Sequence, residues 1–396
     1  MIPLGAGDPL FANGIDLTVI LIMIGKLLAV FGFLMVGVLF MVWFERKIIA
    51  DMQNRIGPNR AGPWGLLQAL ADGTKLFFKE DLLPNRAERR VFRLAPYVSV
   101  IPAFASFAII PLGGKFRIAG HDTYLQLADP PIGILFLLAM SSIAVYGVML
   151  AGWSSGSKYP LLASVRASAQ MVSYEAAMNL AVAATILIAG SLSTRDIVNS
   201  QATFNWNLWQ LGVVPFVIFL IAGTAESNRP PFDLVEAEQE IVGGYHTEYS
   251  SLRFAIFYLA EYMNVITISS IAITLFLGGP NGPGIPILPD VLDGVVWFLA
   301  KLLVFLFCYV WLRATLPRLR YDQLMNLGWK VLIPLSLFWL LLIAALRVGR
   351  DAGWSVYYIF PVALAIGWAC WTMLGAALRL GERTASAARG EEEATV

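Results

Sequence analysis

Long runs of apolar residues alternate with short polar segments along the chain, and nine of these runs approach the roughly 20 residues needed to cross a hydrocarbon core of about 30 Å. The first run has 30 residues, or about 45 Å as a helix, so we expect this helix to tilt or protrude. The pattern predicts an all-α polytopic membrane protein. The predicted spans cover residues 15–44, 94–112, 131–153, 167–189, 208–225, 254–277, 295–312, 331–346 and 356–378.

Basic residues are distributed unequally between the two sides of these spans. Segments on the side of residues 45–93 hold 21 Lys and Arg, and segments on the N-terminal side hold five. The positive-inside rule therefore places the N-terminus outside and, after nine spans, the C-terminus in the cytoplasm. The connections are too short for a soluble domain. We expect one integral-membrane domain over residues 1–380 and a disordered cytoplasmic tail over residues 381–396.

The first inner connection has more structure than a linker needs. It holds two Gly-Pro pairs, which are typical of tight turns, and then residues 64–79, whose apolar members recur at helical spacing. This stretch is too short and too charged to span, which favours an amphipathic helix in the inner interface. Its one acidic residue, Asp72, either serves a function or simply pairs with Lys75 or Lys79.

The inner connection over residues 226–253 is strongly acidic, with six carboxylates and one arginine up to position 250. Asp233 and Glu236 form a capping-box pattern and Gly243-Gly244 is a stop signal, which together predict a short helix over residues 234–242. A solvated acidic helix is the plain interpretation. The apolar residues within the segment, and its place between two spans, favour a functional role.

Four ionisable residues lie inside predicted spans, namely Lys26, Glu175, Glu261 and Lys301. Such groups are costly in hydrocarbon, so each is a candidate functional residue. Glu175 and Glu261 lie at similar depth, about 10–12 Å from the inner ends of their spans, which suits a proton path. Each could instead be a neutral, hydrogen-bonded packing group, but two at one depth beside an acidic loop favour transport.

Composition narrows the function classes further. Only 14% of the residues are charged, 58% are hydrophobic, and 28 basic side chains balance 27 acidic ones. These values exclude a soluble enzyme, a nucleic-acid binder and a disordered protein. Two cysteines and two separated histidines exclude a disulfide scaffold, a Cys₄ zinc site and an iron–sulfur cluster of the chain's own, and argue against a bis-histidine haem.

Motifs in the loops resemble those of a known family. In order they include Glu45-Arg46-Lys47, Arg55-Ile56-Gly57-Pro58-Asn59, Ala71-Asp72-Gly73-Thr74-Lys75, Asn228-Arg229-Pro230-Pro231-Phe232-Asp233 and Ala260-Glu261-Tyr262. In these motifs, and in Ser173-Tyr174-Glu175, the chain from about residue 15 to residue 346 resembles the H subunit of the proton-pumping NADH–quinone oxidoreductase, respiratory complex I. The resemblance implies eight membrane helices, so a ninth span over residues 356–378 is a departure with an open role.

The resemblance also implies roles for individual residues. It assigns to the quinone tunnel and its gating loop Arg46, Trp64, Asp72, Arg229, Phe232 and Asp233. It assigns to a proton path Glu175, Glu226, Glu236, Glu238 and Glu261. The implied function is to form much of the tunnel through which quinone enters and to couple quinone reduction to proton translocation.

Further expectations concern the surroundings of the chain. The family carries no redox centre in this membrane component, so no metal or bound cofactor is expected here. Quinone, either ubiquinone or menaquinone, is the substrate, and FMN, NADH and iron–sulfur clusters belong to partner subunits. The expected partners are hydrophilic-arm subunits on the cytoplasmic loops, small membrane subunits, and the lipid of a bacterial-type inner membrane, with no nucleic acid.

Two other interpretations compete with this one. A membrane-bound hydrogenase or a related ferredoxin-linked complex uses a homologous subunit, but the motifs match the NADH–quinone version over long stretches. A stand-alone ion-coupled secondary transporter usually has internal repeats, and the two halves of this chain show none.

The charge asymmetry gives a testable topology. A single reactive cysteine introduced as Glu392→Cys, in the C-terminal tail, should react with an impermeant thiol reagent only when the inner face is open. Arg117→Cys, in a predicted outer segment, should show the opposite accessibility. Labelling of the tail from outside would show that residues 356–378 do not cross the membrane.

Overall fold

A computed structural model describes residues 8–11, 14–202, 204–234, 241–284 and 289–353, together with three single positions beyond them. The helices in these ranges are α1 (Leu17–Met52), α2 (Gln68–Phe78), α3 (Arg89–Phe107), α4 (Gly133–Ser154), α5 (Lys158–Ala189), α6 (Thr194–Ser200), α7 (Asn207–Gln210), α8 (Val213–Glu226), α9 (Ser251–Phe276), α10 (Asp290–Thr315), α11 (Tyr321–Asn326) and α12 (Ile333–Asp351). Short 3-10 turns cover Pro9–Phe11, Pro63–Gly65 and Gly244–His246, and a π turn, Leu327–Leu332, joins α11 to α12.

Six helical stretches in the described part are long and apolar enough to cross a membrane, which confirms the all-α polytopic class. They are Leu17–Met52, Gly133–Ser154, Lys158–Ala189, Ser251–Phe276, Leu292–Thr315 and Tyr321–Asp351. Two predicted spans correspond to shorter or less apolar helices, α3 with 19 residues and α8 with 14. Helix α8 starts late because Gly212, with φ of 79°, separates it from α7.

Several helices extend beyond the apolar runs from which they were predicted. Helix α1 continues through the polar triplet at residues 45–47 to Met52, and α5 begins at Lys158 instead of residue 167. Hydrogen bonding inside a helix does not depend on side-chain polarity, so a helix ends at a turn signal instead of at the edge of the apolar run. The interfacial helix begins four residues later than predicted, because Trp64 has φ of 52° and belongs to the preceding turn.

The connection after α3 contains a β-hairpin that the all-α prediction missed. Strand β1 (Lys115–Ile118) pairs antiparallel with β2 (His121–Tyr124). Ala119 and Gly120 both have positive φ, at 48° and 87°, as a two-residue hairpin turn of type I′ requires. The exposed ammonium of Lys115, 2.9 Å from Asp122, lowers the pKa of that carboxyl. Strands of four residues are too short to stand out beside long apolar spans.

Some predictions fall on residues outside the described ranges. These are the ninth span over residues 356–378, the tail over residues 381–396, and most of the acidic helix over residues 234–242 with Glu236 and Glu238.

Close helix packing builds the centre of the bundle. Helix α3 packs on α4, α4 on α5, and α5 on α8, while α9 packs against α3 and α1. Small residues permit the approach, since a Cβ on Gly147 of α4 would overlap Ser99 Oγ of α3. A Cβ on Gly152 would likewise overlap the carbonyl oxygen of Pro160 in α5. These contacts hold α3, α4 and α5 as one layer.

The two lysines within the spans are held by structural contacts. The Nζ of Lys26 lies 3.0 Å from a carboxylate oxygen of Asp8 and donates to Thr123 Oγ1 of the hairpin at 3.0 Å. Lys301 donates to three backbone carbonyls in the loop after α9, at 2.7 to 2.8 Å. These partners satisfy the lysines locally, so the structure gives neither a role in transport.

The close α3–α4 contact yields a stability prediction. Gly147→Ala places a methyl group against both Ser99 Oγ and, at 2.7 Å, Ser99 N, so the helices must separate. We expect a loss of about 1–3 kcal/mol in unfolding free energy, measured as a lower thermal midpoint of the purified complex. Gly25→Ala on α1, where no atom lies within 4 Å, is the matched control. Equal midpoints for the two variants would contradict the packing described here.

Candidate functional site

Glu45, near the C-terminal end of α1, is the centre of a buried ion-pair network. One of its carboxylate oxygens contacts Nη1 of Arg313, at the end of α10. The other lies 3.5 Å from Nη1 of Arg229 and accepts a hydrogen bond from the Tyr262 hydroxyl at 3.0 Å. A buried carboxylate is costly unless paired, so Glu45 ties α1, α9 and α10 to the loop after α8.

Arg229 connects this centre to a second carboxylate. Its Nε lies 3.1 Å from Oε1 of Glu261, and its guanidinium carbon lies 4.0 Å from the centre of the Tyr262 ring. The Tyr258 hydroxyl is 2.9 Å from that of Tyr262 and extends the polar chain. Two carboxylates thus face two guanidinium groups, and the cluster is close to charge-neutral.

A separate pair joins α1 to the interfacial helix. Arg46 Nη1 lies 2.6 Å from Asp72 Oδ2, and Gln68 donates to the other oxygen of Asp72 at 3.3 Å. Trp64 exposes 73% of its surface, while its carbonyl accepts a hydrogen bond from Trp43 Nε1 at 3.0 Å. Of the two alternatives left open for Asp72, simple pairing with Lys75 or Lys79 is not what the structure has, because its ion pair is with Arg46.

The loop over residues 227–234 is fixed from several directions. Gln170 Nε2 of α5 donates to the carbonyls of Ala225 and Phe232, at 2.8 Å each. Asp233 is buried and lies 3.0 Å from Nη2 of Arg318. The Phe232 ring packs on Tyr174, the neighbour of Glu175, with 5.4 Å between ring centres.

Two further carboxylates bind neighbouring serines on α4. The Ser141 hydroxyl hydrogen-bonds Glu226 Oε1, and the Ser142 hydroxyl hydrogen-bonds Glu175 Oε1. The remaining oxygen of Glu226 is buried without a hydrogen-bond partner among the described residues. The two serines therefore place Glu226 of α8 and Glu175 of α5 on adjacent positions of one helix.

A cavity of about 80 Å³ lies between α3, α4, α5, α8 and α9, beside these carboxylates. Its polar lining groups include Ser99, Ser141, Glu226, Ser227, Asn228, His246, Glu261, Asn264 and Thr267. Ser99 Oγ, Glu226 Oε2 and Thr267 Oγ1 have no hydrogen-bond partner among the described residues. At roughly 10–15 Å³ per water, this space is large and polar enough for several ordered waters.

His246 contributes a neutral polar group to this lining. Burial lowers the pKa of His246 to about 4, although the Asp233 carboxylate acts in the opposite direction. The imidazole is therefore uncharged at neutral pH, where it can accept and donate hydrogen bonds.

The structure thus divides the residues singled out from the sequence. Arg229, Asp233, Glu226 and Glu261 lie around the cavity and the Glu45 network, Glu175 joins them through α4, and Arg46 with Asp72 forms a separate pair near the interface. Sequence reasoning missed five residues as site members, namely Glu45, Ser141, Ser142, Gln170 and Arg313. The serine pair gave no distinctive signal in the sequence, because Ser269-Ser270 also lies within a predicted span.

Within the described residues, no group of three or more His, Cys, Asp or Glu side chains is arranged to hold a metal ion. The chemistry that these side chains can supply is that of hydrogen bonds, ion pairs and proton exchange among carboxylates, hydroxyls and guanidinium groups.

Comparison with known proteins agrees with this arrangement. The family model described as NADH dehydrogenase matches residues 25–344. The H subunit of the NADH-quinone oxidoreductase of Frankia alni is 55% identical over 347 residues, covering 86% of this chain and 76% of the relative. The corresponding protein of Frankia casuarinae is 56% identical over 327 residues, covering 82% and 72%. The family model covers most of the described helical bundle, and the chain belongs to the family of NADH-quinone oxidoreductase H subunits.

Proposed function

We propose that this chain is the membrane subunit of a proton-translocating NADH:quinone oxidoreductase that forms much of the quinone-access tunnel and couples quinone reduction to proton movement. One observation supports this most directly. Glu226 and Glu261 line the same buried cavity, and Glu261 is paired with Arg229, which is in turn paired with Glu45. The cavity is therefore electrostatically joined to the inward surface.

In this proposal, quinone enters at the interfacial helix α2. Leu70, Phe77 and Phe78 expose 50%, 62% and 81% of their surfaces, and so offer an apolar face at membrane depth. The pair of Arg46 and Asp72 stands beside this face and presents hydrogen-bonding groups to a quinone headgroup. An isoprenoid tail can remain on the apolar residues while the headgroup moves inward.

Reduction of the quinone is coupled to protonation by charge. A quinone that accepts two electrons must also accept two protons, and negative charge develops before the protons arrive. In a dry tunnel such charge acts over long distances because the local dielectric constant is low. Arg229 would be attracted toward the reduced headgroup, which weakens its hold on Glu45 and Glu261 and favours their protonation.

The path into the membrane would run through the cavity to α4. Carboxylate Glu261, ordered water in the cavity, and Glu226 form its first part. A serine hydroxyl both donates and accepts a hydrogen bond, so Ser141 and Ser142, at adjacent positions of α4, can link Glu226 with Glu175. Glu236 and Glu238 would supply protons from the inward loop, and Phe232 with Asp233 would gate it.

In this scheme NADH passes electrons through FMN to iron–sulfur clusters in partner subunits, and these clusters reduce the quinone. The hydrophilic-arm subunits would dock on the inward connections, and small membrane subunits would lie alongside the bundle. We place the chain in a bacterial-type inner membrane with its N-terminus outside and its C-terminus in the cytoplasm. The hydrogenase-type and transporter interpretations have less support, because both relatives are named as NADH-quinone oxidoreductase subunits.

The coupling role of Glu175 is testable in the intact complex. Glu175→Gln preserves shape and the contact with Ser142 but removes the titrating proton. We expect normal assembly and normal cluster reduction by NADH, with quinone-linked turnover and proton pumping falling together by roughly 100-fold, since a proton-transferring group contributes on that order.

Glu88→Gln, at the exposed start of α3, is the matched control and should leave both rates unchanged. Wild-type turnover with full pumping in an assembled Glu175→Gln complex would make Glu175 a packing group only.

The entrance role of Asp72 makes a different prediction. Asp72→Asn breaks the 2.6 Å ion pair with Arg46, and because both side chains are partly exposed, stability should change by less than about 1 kcal/mol. We expect the KM for quinone to rise several-fold while NADH oxidation by an artificial acceptor at the clusters stays constant. Asp51→Asn, on the exposed end of α1, is the control. An unchanged KM would remove Asp72 from the quinone path.

A further inference from the structure

A second, basic cavity of about 480 Å³ lies at the end of the bundle opposite the Glu45 network. Arg347 and Arg350 of α12 line it together with the amide side chains of Asn205 and Gln210. Apolar residues line the remainder, and they are Ile188, Ile343 and Leu346. A cavity with a cationic rim and an apolar wall suits a ligand that is part anion and part hydrocarbon.

Helix geometry places these groups on one face. One side of α12, near its C-terminal end, carries Ile343 and the residues three, four and seven positions after it. These are Leu346, Arg347 and Arg350. Helix α5 ends at Ala189, just beyond Ile188, with Gly190 in the left-handed conformation as its cap. The cavity therefore lies where two membrane helices end together.

The wall opposite α12 is held rigidly. Trp339 Nε1 donates to the carbonyl of Leu211 at 2.7 Å, and a Cβ on Gly212 would lie 3.0 Å from the Trp339 ring. Gln210 Nε2 donates to the Asn205 carbonyl at 3.1 Å, which closes the short turn between them. The cavity is thus built between fixed elements.

Its charge is not balanced by the described residues. Arg347 Nε lies 3.5 Å from Asp351, one turn further along α12, and both groups are largely exposed. Arg350 forms no ion pair with any described residue and is exposed. One guanidinium group, with part of a second, is available to an anion. Arginine binds phosphate oxygens in a bidentate manner, which makes it better suited to this ligand than lysine.

Aromatic residues mark the depth of the cavity. Phe204 and Trp209, on the turn that carries Asn205 and Gln210, expose 54% and 65% of their surfaces. Exposed aromatic side chains collect at the level of lipid headgroups. The arginines are therefore at headgroup level, and the apolar wall formed by α5 and α12 points toward the hydrocarbon.

We propose that this cavity binds an anionic phospholipid, with its phosphate between Arg347 and Arg350 and one acyl chain along Ile188, Ile343 and Leu346. The binding follows from charge and shape at this end of the bundle, and it is independent of the quinone and proton roles proposed above. A bound lipid here would join the ends of α5 and α12.

The test uses the intact complex in phosphatidylcholine vesicles that contain a small fraction of photoactivatable phosphatidylglycerol. Peptide mapping should locate cross-links on the last two turns of α12 and the end of α5. Arg350→Gln, which breaks no ion pair with described residues, and the double variant R347Q/R350Q should lower this labelling, with the double variant reduced about tenfold. Arg117→Gln on the exposed hairpin is the matched control and should label as the wild type does.

Four outcomes would contradict the proposal. Equal labelling by photoactivatable phosphatidylcholine would indicate ordinary surrounding lipid without preference for the anion. Displacement of the label by inorganic phosphate alone would indicate a site for free phosphate. Cross-links from this region to an acidic segment of a neighbouring subunit, without lipid labelling, would indicate a protein interface. Unchanged labelling in an assembled Arg350→Gln complex would equally remove the assigned role of that residue.

Discussion

Glu45 brings a carboxylate into the buried interior of the bundle, and the surrounding structure must neutralise it. Removing an ion from water costs several kcal/mol even in a relaxed protein. Arg313 meets this requirement from α10, Arg229 from the loop after α8, and Tyr262 from α9. Three helices and one loop are thereby held in register by one side chain. Removing either arginine would leave the Glu45 carboxylate incompletely neutralised, so the network behaves as a unit.

The same network explains why residues 227–234, directly after α8, have a defined structure. A segment rich in acids would ordinarily extend into water. Here Arg229 is drawn inward by two carboxylates, Gln170 holds the backbone at Phe232, and Asp233 is fixed by Arg318. The cavity that contains Glu226 and Glu261 forms beneath the loop as a result. The charge pairing of the loop and the shape of the cavity are therefore consequences of the same set of contacts.

Much of the architecture followed from the sequence, because apolar length and periodicity determine which segments are membrane helices. The roles of single polar residues followed less well. Lys26 and Glu175 are both ionisable residues within predicted spans, yet Lys26 pairs with Asp8 and Glu175 binds Ser142. The partners of Glu45 include Arg313, which is 268 residues away. No spacing rule reaches so far, since such contacts depend on how the helices pack. The hairpin was missed for a different reason, as its strands have only four residues each.

The N-terminal part of α1 shows how far one buried charge constrains distant parts of the chain. Lys26, Asp8 and Thr123 come from the first helix, the segment before it and the hairpin, and they meet at one point. Each of these polar side chains is satisfied in this position only while the other two are present. In an alignment of relatives these three columns should therefore change in concert, for example to an apolar trio, and seldom one at a time. The hairpin would then be inherited together with the lysine it helps to accommodate.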